Sequence, residues 1–249
     1  MALVSGAGTG VGRATALALA REGASLTLVG RRPDPLKEVA AELGAAGAEV
    51  LLQPGDITDA DAAEAMVGAT VGRWGRLDVL VNNAGLNVPI RDLERLAVED
   101  WRRILEVNLT GPYLLTRAAL PVMRERGRGT IVNVSSMAGY RAAILTGPAY
   151  SAAKAGLNSF TDSINLAERD RGIRACTICP GEVHTPIMEQ RPRPPSPEER
   201  ATMLQPEDVA ETIALIAALP DRAAVELVLI RPTQMRDRTA DERAAAGRE

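Results

Sequence analysis

Tyr150 and Lys154 are the residues whose types and spacing point most directly to chemistry. They stand four positions apart in the run Ala149-Tyr150-Ser151-Ala152-Ala153-Lys154-Ala155-Gly156-Leu157, whose alanine-rich composition reads as helix. On a helix that spacing sets the phenol and the ammonium on one face, roughly 6 Å apart at their Cβ atoms. A free tyrosine titrates near pH 10 and is a poor base at neutrality; each unit of pKa change corresponds to about 1.4 kcal/mol. A cation held beside the phenol favours the phenolate. A tyrosine tuned in this way hands a proton to a developing alkoxide and takes one back in the reverse direction. Taken alone, a Tyr-x-x-x-Lys pair is more often an ordinary amphipathic surface pair. Its company decides.

Three further stretches must bring groups to that helix. Thr130-Ile131-Val132-Asn133-Val134 is a β-branched strand that ends on Ser135 and Ser136. Leu77-Asp78-Val79-Leu80-Val81 is a nearly continuous apolar strand closed by Asn82-Asn83-Ala84-Gly85, the pattern of a parallel sheet covered on both faces. Near the start, Ala2-Leu3-Val4-Ser5 feeds Gly6-Ala7-Gly8-Thr9-Gly10-Val11-Gly12. Gly6, Gly10 and Gly12 permit a tight turn and close approach of backbone to a diphosphate, and a helix from about Val11 to Arg21 aims its N-terminal amides at that charge. The spacing is G-x-x-x-G-x-G, not the more familiar G-x-G-x-x-G.

With these motifs in this order, the chain resembles the short-chain dehydrogenase/reductase family, in the size class of its 249 residues. The resemblance runs from Ala2 to about Thr233. It implies a doubly wound α/β Rossmann fold with a parallel sheet of about seven strands in a single domain. It also implies an NAD(P)-dependent oxidoreductase acting on a CH–OH group. By the same resemblance Tyr150 protonates a carbonyl oxygen and Ser136 polarises it, Ser136 being preferred to Ser135, which remains a cofactor or structural contact. Lys154 lowers the tyrosine pKa and binds the nicotinamide ribose. Asn108, in Val107-Asn108-Leu109-Thr110-Gly111, holds a water that connects Lys154 to solvent. Asp56 and Ile57 lie at the adenine, while Asn83, Ala84 and Gly85 make room for the adenosine side. Cys179-Pro180-Gly181-Glu182-Val183-His184-Thr185 matches the segment at the nicotinamide end. There Pro180, Gly181, Val183 and Thr185 are expected to hold the cofactor, with Gly6, Gly10, Val11 and Gly12 at its diphosphate. Ser5 stands where the family most often has threonine and keeps the hydroxyl. The loop between Ser136 and Tyr150 is slightly longer than is common in the family and is expected to bulge.

The second strand, Ser25-Leu26-Thr27-Leu28-Val29, ends at Gly30-Arg31-Arg32. An acidic side chain here would hold the ribose 2′-hydroxyl of NAD, whereas arginine accommodates a 2′-phosphate. Gly30 occupies the position where NAD-preferring relatives tend to carry aspartate, and Arg31 follows it. Thr9 argues the other way, since NADP-preferring relatives often have a basic residue there. The balance favours NADP(H) over NAD(H).

The bulk composition excludes several other functions. Hydrophobic residues make up 46% and charged residues 24%, an ordinary globular balance. No apolar run approaches the roughly 20 residues that span a bilayer, and no basic region precedes the first strand as in a signal peptide. A cytoplasmic protein without a membrane partner is expected. A net charge of −3 without a large basic block argues against nucleic acid. One histidine and two cysteines cannot build a conventional His/Cys metal site. Cys176 and Cys179 fall on one strand, so their sulfurs should diverge to opposite faces as buried small residues. His184 reads as a loop residue.

Residues 1–233 are expected to form the oxidoreductase domain. Within it, the Pro-, Glu- and Arg-rich stretch 186–205 falls where relatives place a mobile substrate lid, and its composition suits a loop that orders when ligands bind; 234–249 reads as a polar, frayed tail. The Ile230-Arg231-Pro232-Thr233 ending resembles a subgroup that includes NADP-dependent hydroxy-amino-acid dehydrogenases. The partner is expected to be a small-molecule alcohol or carbonyl, with Asn87, Met137, Arg141, Thr146 and Met188 as candidate contacts. Relatives imply a homo-dimer or homo-tetramer. Three rival readings stand beside the main one: an NAD-dependent dehydrogenase of the same family, a dinucleotide sensor without turnover, and an epimerase on the same frame. Regulators derived from this family tend to lose the tyrosine or the lysine, and both are present here. An epimerase on the same frame would show no net formation of reduced cofactor.

Overall fold

Seven parallel strands set the frame: β1 (Ala2–Ser5), β2 (Leu26–Gly30), β3 (Val50–Pro54), β4 (Val79–Asn82), β5 (Gly129–Val134), β6 (Ile173–Pro180) and β7 (Leu227–Ile230). The computed structural model describes residues 1–247. The strand order is β3-β2-β1-β4-β5-β6-β7. The chain therefore winds outward from β1 in one direction, returns to the other side of β1 at β4, and winds outward again. A crevice forms at such a reversal, outside the carboxyl ends of the strands.

The helices that cross between strands are α1 (Gly10–Arg21), α2 (Pro33–Ala45), α3 (Ala60–Trp74), α4 (Val98–Leu105), α5 (Gly111–Arg126), α6 (Met137–Tyr140), α7 (Pro148–Glu168), α8 (Pro197–Ala201) and α9 (Pro206–Ala218), and α10 (Thr239–Ala245) follows the last strand. Two apolar layers cover the sheet. On one face Val4, Cys176 and Ile178 pack with Ala14 of α1, Leu36 of α2 and Ile213 of α9. On the other, Leu3, Ile131 and Ala175 pack with Met66 of α3, Leu115 of α5 and Ile164 of α7. Neighbouring strand residues thus feed opposite layers, as the two-residue period requires. The cysteines follow the same rule. Both are buried and free; Cys176 joins the first layer, whereas the Cys179 sulfur meets Asn158 of α7 at 3.8 Å. With aromatic residues at 2%, the largest fully buried side chains are Leu, Ile and Met. No helix among the described residues is long and apolar enough to cross a membrane.

Two local expectations need correction. Gly111-Pro112 reads in the sequence as an interruption of the long helical stretch, but the irregularity is a π turn at Glu106–Thr110, and α5 starts directly on Gly111. Pro112 has no N–H for the carbonyl four residues back, and the Gly111 N–H instead reaches Glu106 O, five residues back. The wider turn absorbs the proline without ending the helix.

The tail is the second correction. Instead of fraying, residues 239–245 form α10, with Asp241 only 1% exposed between Arg193 and Arg236. Arg236 also pairs with Glu182 at 2.8 Å and Glu199 at 3.2 Å, and Arg191 with Glu182 at 2.7 Å. Through Asp241 and Arg236 the tail is tied to Arg193 and Glu199 of the 186–205 stretch. That stretch is itself folded, with a 3₁₀ turn at Pro186–Gln190 and α8 closed by a Ser196/Glu199 capping box. Residues 248–249 of the expected tail lie outside the described residues.

Candidate active site

The last residue of each strand, or the one directly after it, lines one cavity of about 1020 Å³ at the carboxyl edge of the sheet. All the residues nominated from the sequence line it except Gly12 and Asn108, which stand immediately behind its wall. The five candidate substrate contacts line it too, and His184 does not.

At one end sits the glycine loop. Gly6 takes φ +66°, a left-handed conformation that side chains rarely adopt. A Cβ on Gly12 would collide with the Gly6 carbonyl oxygen and lie 2.5 Å from Asn83 Nδ2. The loop is braced from β4: Asn83 Nδ2 donates to Ser5 O at 3.0 Å, and Ser5 Oγ accepts from the backbone N–H groups of Asn83 and Ala84 at 3.0 and 3.1 Å. Ser5 therefore does by hydroxyl what threonine would do. Thr185 closes over Gly10, its Cγ2 being 3.1 Å from where a Cβ would stand. Such a cradle of glycine backbone before the N-terminus of α1 fits a dinucleotide diphosphate. Farther along, Asp56 Oδ1 accepts from the Thr58 N–H and hydroxyl at 3.0 and 2.9 Å, holding the turn beside Ile57. Asp59, not Asp56, caps α3. Arg31 is exposed, and among the described residues no carboxylate pairs with it, whereas Arg13 is tied to Glu42 at 2.6 Å.

At the other end Ser136, Tyr150 and Lys154 converge. α7 carries the last two and is held to the sheet by a polar chain: Asn82 Nδ2 donates to Asn133 Oδ1 at 2.8 Å, and Asn133 Nδ2 donates to Thr161 Oγ1 at 2.8 Å. Lys154 Nζ is buried, donates to Val134 O at 2.8 Å, and lies 5.7 Å from the Tyr150 ring centroid. Burial lowers its pKa to about 8. Ser135 and Ser136 part company. Ser135 Oγ is buried and donates to Lys154 O at 3.1 Å, whereas Ser136 Oγ accepts from the Ala138 N–H at 3.1 Å and faces the cavity. The loop before Tyr150 contains a 3₁₀ turn at Ile144–Thr146.

Asn108 sits on the π turn with Nδ2 donating to Leu86 O and Ile104 O at 2.8 and 2.9 Å. Its Oδ1 is buried with no hydrogen-bond partner. A Cβ on Gly85 would come within 2.8 Å of that oxygen and 3.7 Å of Lys154 Nζ, so the glycine keeps the space between the two groups open.

The electrostatics of Tyr150 depart from the simple pair suggested by sequence. Burial raises its pKa; the Ser136 hydroxyl, then the charges of Arg91 and Arg191, pull it back. Neither arginine stands out in the sequence, because each lies in an irregular loop without periodicity.

Comparison with known proteins gives consistent matches. A family model described as short chain dehydrogenase matches residues 1–195. A cis-4-hydroxycyclohexanecarboxylate dehydrogenase from Sinomonas cyclohexanicum is 38% identical over 227 residues, covering 88% of this chain and 89% of that protein. Among solved structures, an alcohol dehydrogenase from the archaeon Thermococcus sibiricus complexed with 5-hydroxy-NADP superposes with a TM-score of 0.85 at 30% identity, covering 95% of this chain and 97% of that one. A 3-ketoacyl-(acyl-carrier-protein) reductase from Brucella melitensis complexed with NADH has the same TM-score, 0.85, at 28% identity, covering 93% and 96%.

Proposed function

Because this chain belongs to the short-chain dehydrogenase family, we propose that it is an NADP(H)-dependent oxidoreductase that interconverts a secondary alcohol and a carbonyl at Ser136, Tyr150 and Lys154. The observation that carries this reading is the single cavity joining the glycine loop and Arg31 to the Ser-Tyr-Lys cluster. The bound nicotinamide would supply hydride exchange with the carbonyl carbon. The protein supplies position and protons. Ser136 donates to the substrate oxygen and Tyr150 gives that oxygen its proton. Lys154 holds the ribose end and passes a proton onward through a water bound at Asn108 Oδ1. Arg31 meets a 2′-phosphate at the far end, where Gly30 brings no carboxylate to oppose it.

Titration of the purified protein with NADPH and NADH, followed by nicotinamide fluorescence and then by a carbonyl screen, tests this reading with the cofactor alone as the first ligand. NADPH should bind tighter by roughly tenfold or more, the contribution of charge-assisted bonds to one phosphate. The reverse order would remove the phosphate role of Arg31 and leave an NAD-dependent enzyme. Binding of NADPH with no carbonyl reduced would favour a dinucleotide sensor.

The direction of the pKa shifts sets the pH dependence. With its pKa raised by burial, Tyr150 is a neutral phenol at pH 7, the form that donates a proton in reduction. Alcohol oxidation needs the phenolate and a proton exit through Lys154, which titrates near 8. The expected result is that kcat/KM for oxidation climbs as pH rises through 8, while reduction declines over the same range. Profiles flat from neutrality to about pH 10, the ordinary titration point of a tyrosine, would separate these groups from the proton path.

A further inference from the structure

Arg91 lies in the loop between β4 and α4 and is 6% exposed on the wall of the cavity that also holds Tyr150. A guanidinium has five N–H donors. Three bonds are made here: Nε to Val88 O at 2.8 Å, Nη1 to Leu145 O at 2.6 Å, and Nη2 to Gln190 O at 3.0 Å. All three acceptors are neutral carbonyls. Among the described residues no carboxylate pairs with Arg91. Arg191, buried on the same wall, is neutralised by Glu182 at 2.7 Å. Arg91 is thus a buried cation without a counter-charge, an arrangement that is costly unless a partner anion arrives. Burial first, and then repulsion from Arg191, pulls its pKa down to about 10; Tyr150 acts in the opposite sense.

The position of Arg91 narrows what that partner is. Its hydrogen-bond partners Leu145 and Gln190 belong to the two stretches that precede α7 and follow Thr185, on the Tyr150 side of the cavity. The glycine loop and Arg31, which suit the charged parts of a dinucleotide, form the opposite end. A planar guanidinium with two N–H donors left over suits a carboxylate. We propose that the substrate is an oxo- or hydroxy-carboxylic acid whose carboxylate pairs with Arg91, setting the reacting carbon beside Ser136 and Tyr150. This rests on the oxidoreductase reading of the same site. It makes Arg91 a specificity-determining residue and explains why a buried charge is kept beside the proton donor. The bland role for the same arginine is a cross-link between three loops through its carbonyl bonds.

The test compares acids with their own esters. The protein is given NADPH with 4-oxocyclohexanecarboxylate or 4-oxopentanoate, and separately with the methyl ester of each. The acid should be favoured in kcat/KM by about tenfold or more, the scale of a charge-assisted pair. That ratio should collapse toward one in Arg91→Gln and recover in part in Arg91→Lys. Equal use of acid and ester by the unaltered protein overturns the proposal. So does a ratio that persists in Arg91→Gln while both rates fall together, which is the signature of a loop cross-link. Binding of the same four compounds to the NADP⁺-loaded protein, followed by calorimetry, reads the contact without turnover, and an absence of acid preference there overturns it equally. Esters reduced without acid preference would remove the Arg91 role and keep the oxidoreductase. Acids bound preferentially but never reduced would keep Arg91 and remove the oxidoreductase.

Discussion

Replacing Tyr150 with Phe should lower carbonyl reduction by roughly a thousandfold, within the range that a positioned general acid contributes, and leave NADPH binding nearly intact. The substitution is clean for a structural reason. The Tyr150 ring packs with the cluster of Leu86, Val88, Ile104, Ala149 and Ala153, and Phe preserves that apolar contact. What is lost is the phenolic oxygen, whose neighbour is the Ser136 hydroxyl and whose titration is set by burial, Arg91 and Arg191. The fold of the variant should therefore match the parent by circular dichroism and thermal midpoint. Turnover at near-parental rates in a folded, cofactor-binding Tyr150→Phe protein would refute the assignment of proton transfer.

The second large effect is expected at the end of β2. Gly30 has no positive φ, and a Cβ placed there would be 3.5 Å from Leu36 Cδ2, an ordinary contact. An aspartate is therefore tolerated sterically. Its carboxylate would repel a 2′-phosphate and accept from the free ribose hydroxyls of NAD. Gly30→Asp should weaken NADPH by about a hundredfold and tighten NADH several-fold, on the scale of lost and gained charge-assisted bonds. Arg31→Ala alone should weaken NADPH by about tenfold with NADH unchanged. Paired fluorescence titrations read both. An unaltered NADPH-to-NADH ratio in Gly30→Asp would place cofactor choice elsewhere in the cavity.

Much of the molecule was legible because its signals are local. β-branched runs ending in glycine or asparagine mark strands that feed one edge, and a four-residue spacing on one helix suffices to put Tyr150 and Lys154 on the same face. The parallel sheet, the glycine cradle and the opposite burial of Cys176 and Cys179 all follow from such short-range rules. What only the tertiary structure decided depends on partners distant in the chain, or on partners with no side-chain identity at all. Asp241 is buried where Arg193, 48 residues away, reaches it, and nothing in a polar C-terminal run announces that. The partner that occupies the Ser135 hydroxyl is a backbone carbonyl of α7, 19 residues away. Arg91 is held by the carbonyls of Leu145 and Gln190, 54 and 99 residues away. Every residue carries a carbonyl, so sequence cannot mark the ones that matter. The spacing of residues determined the chemistry available to this protein; long-range packing decided which charges surround it.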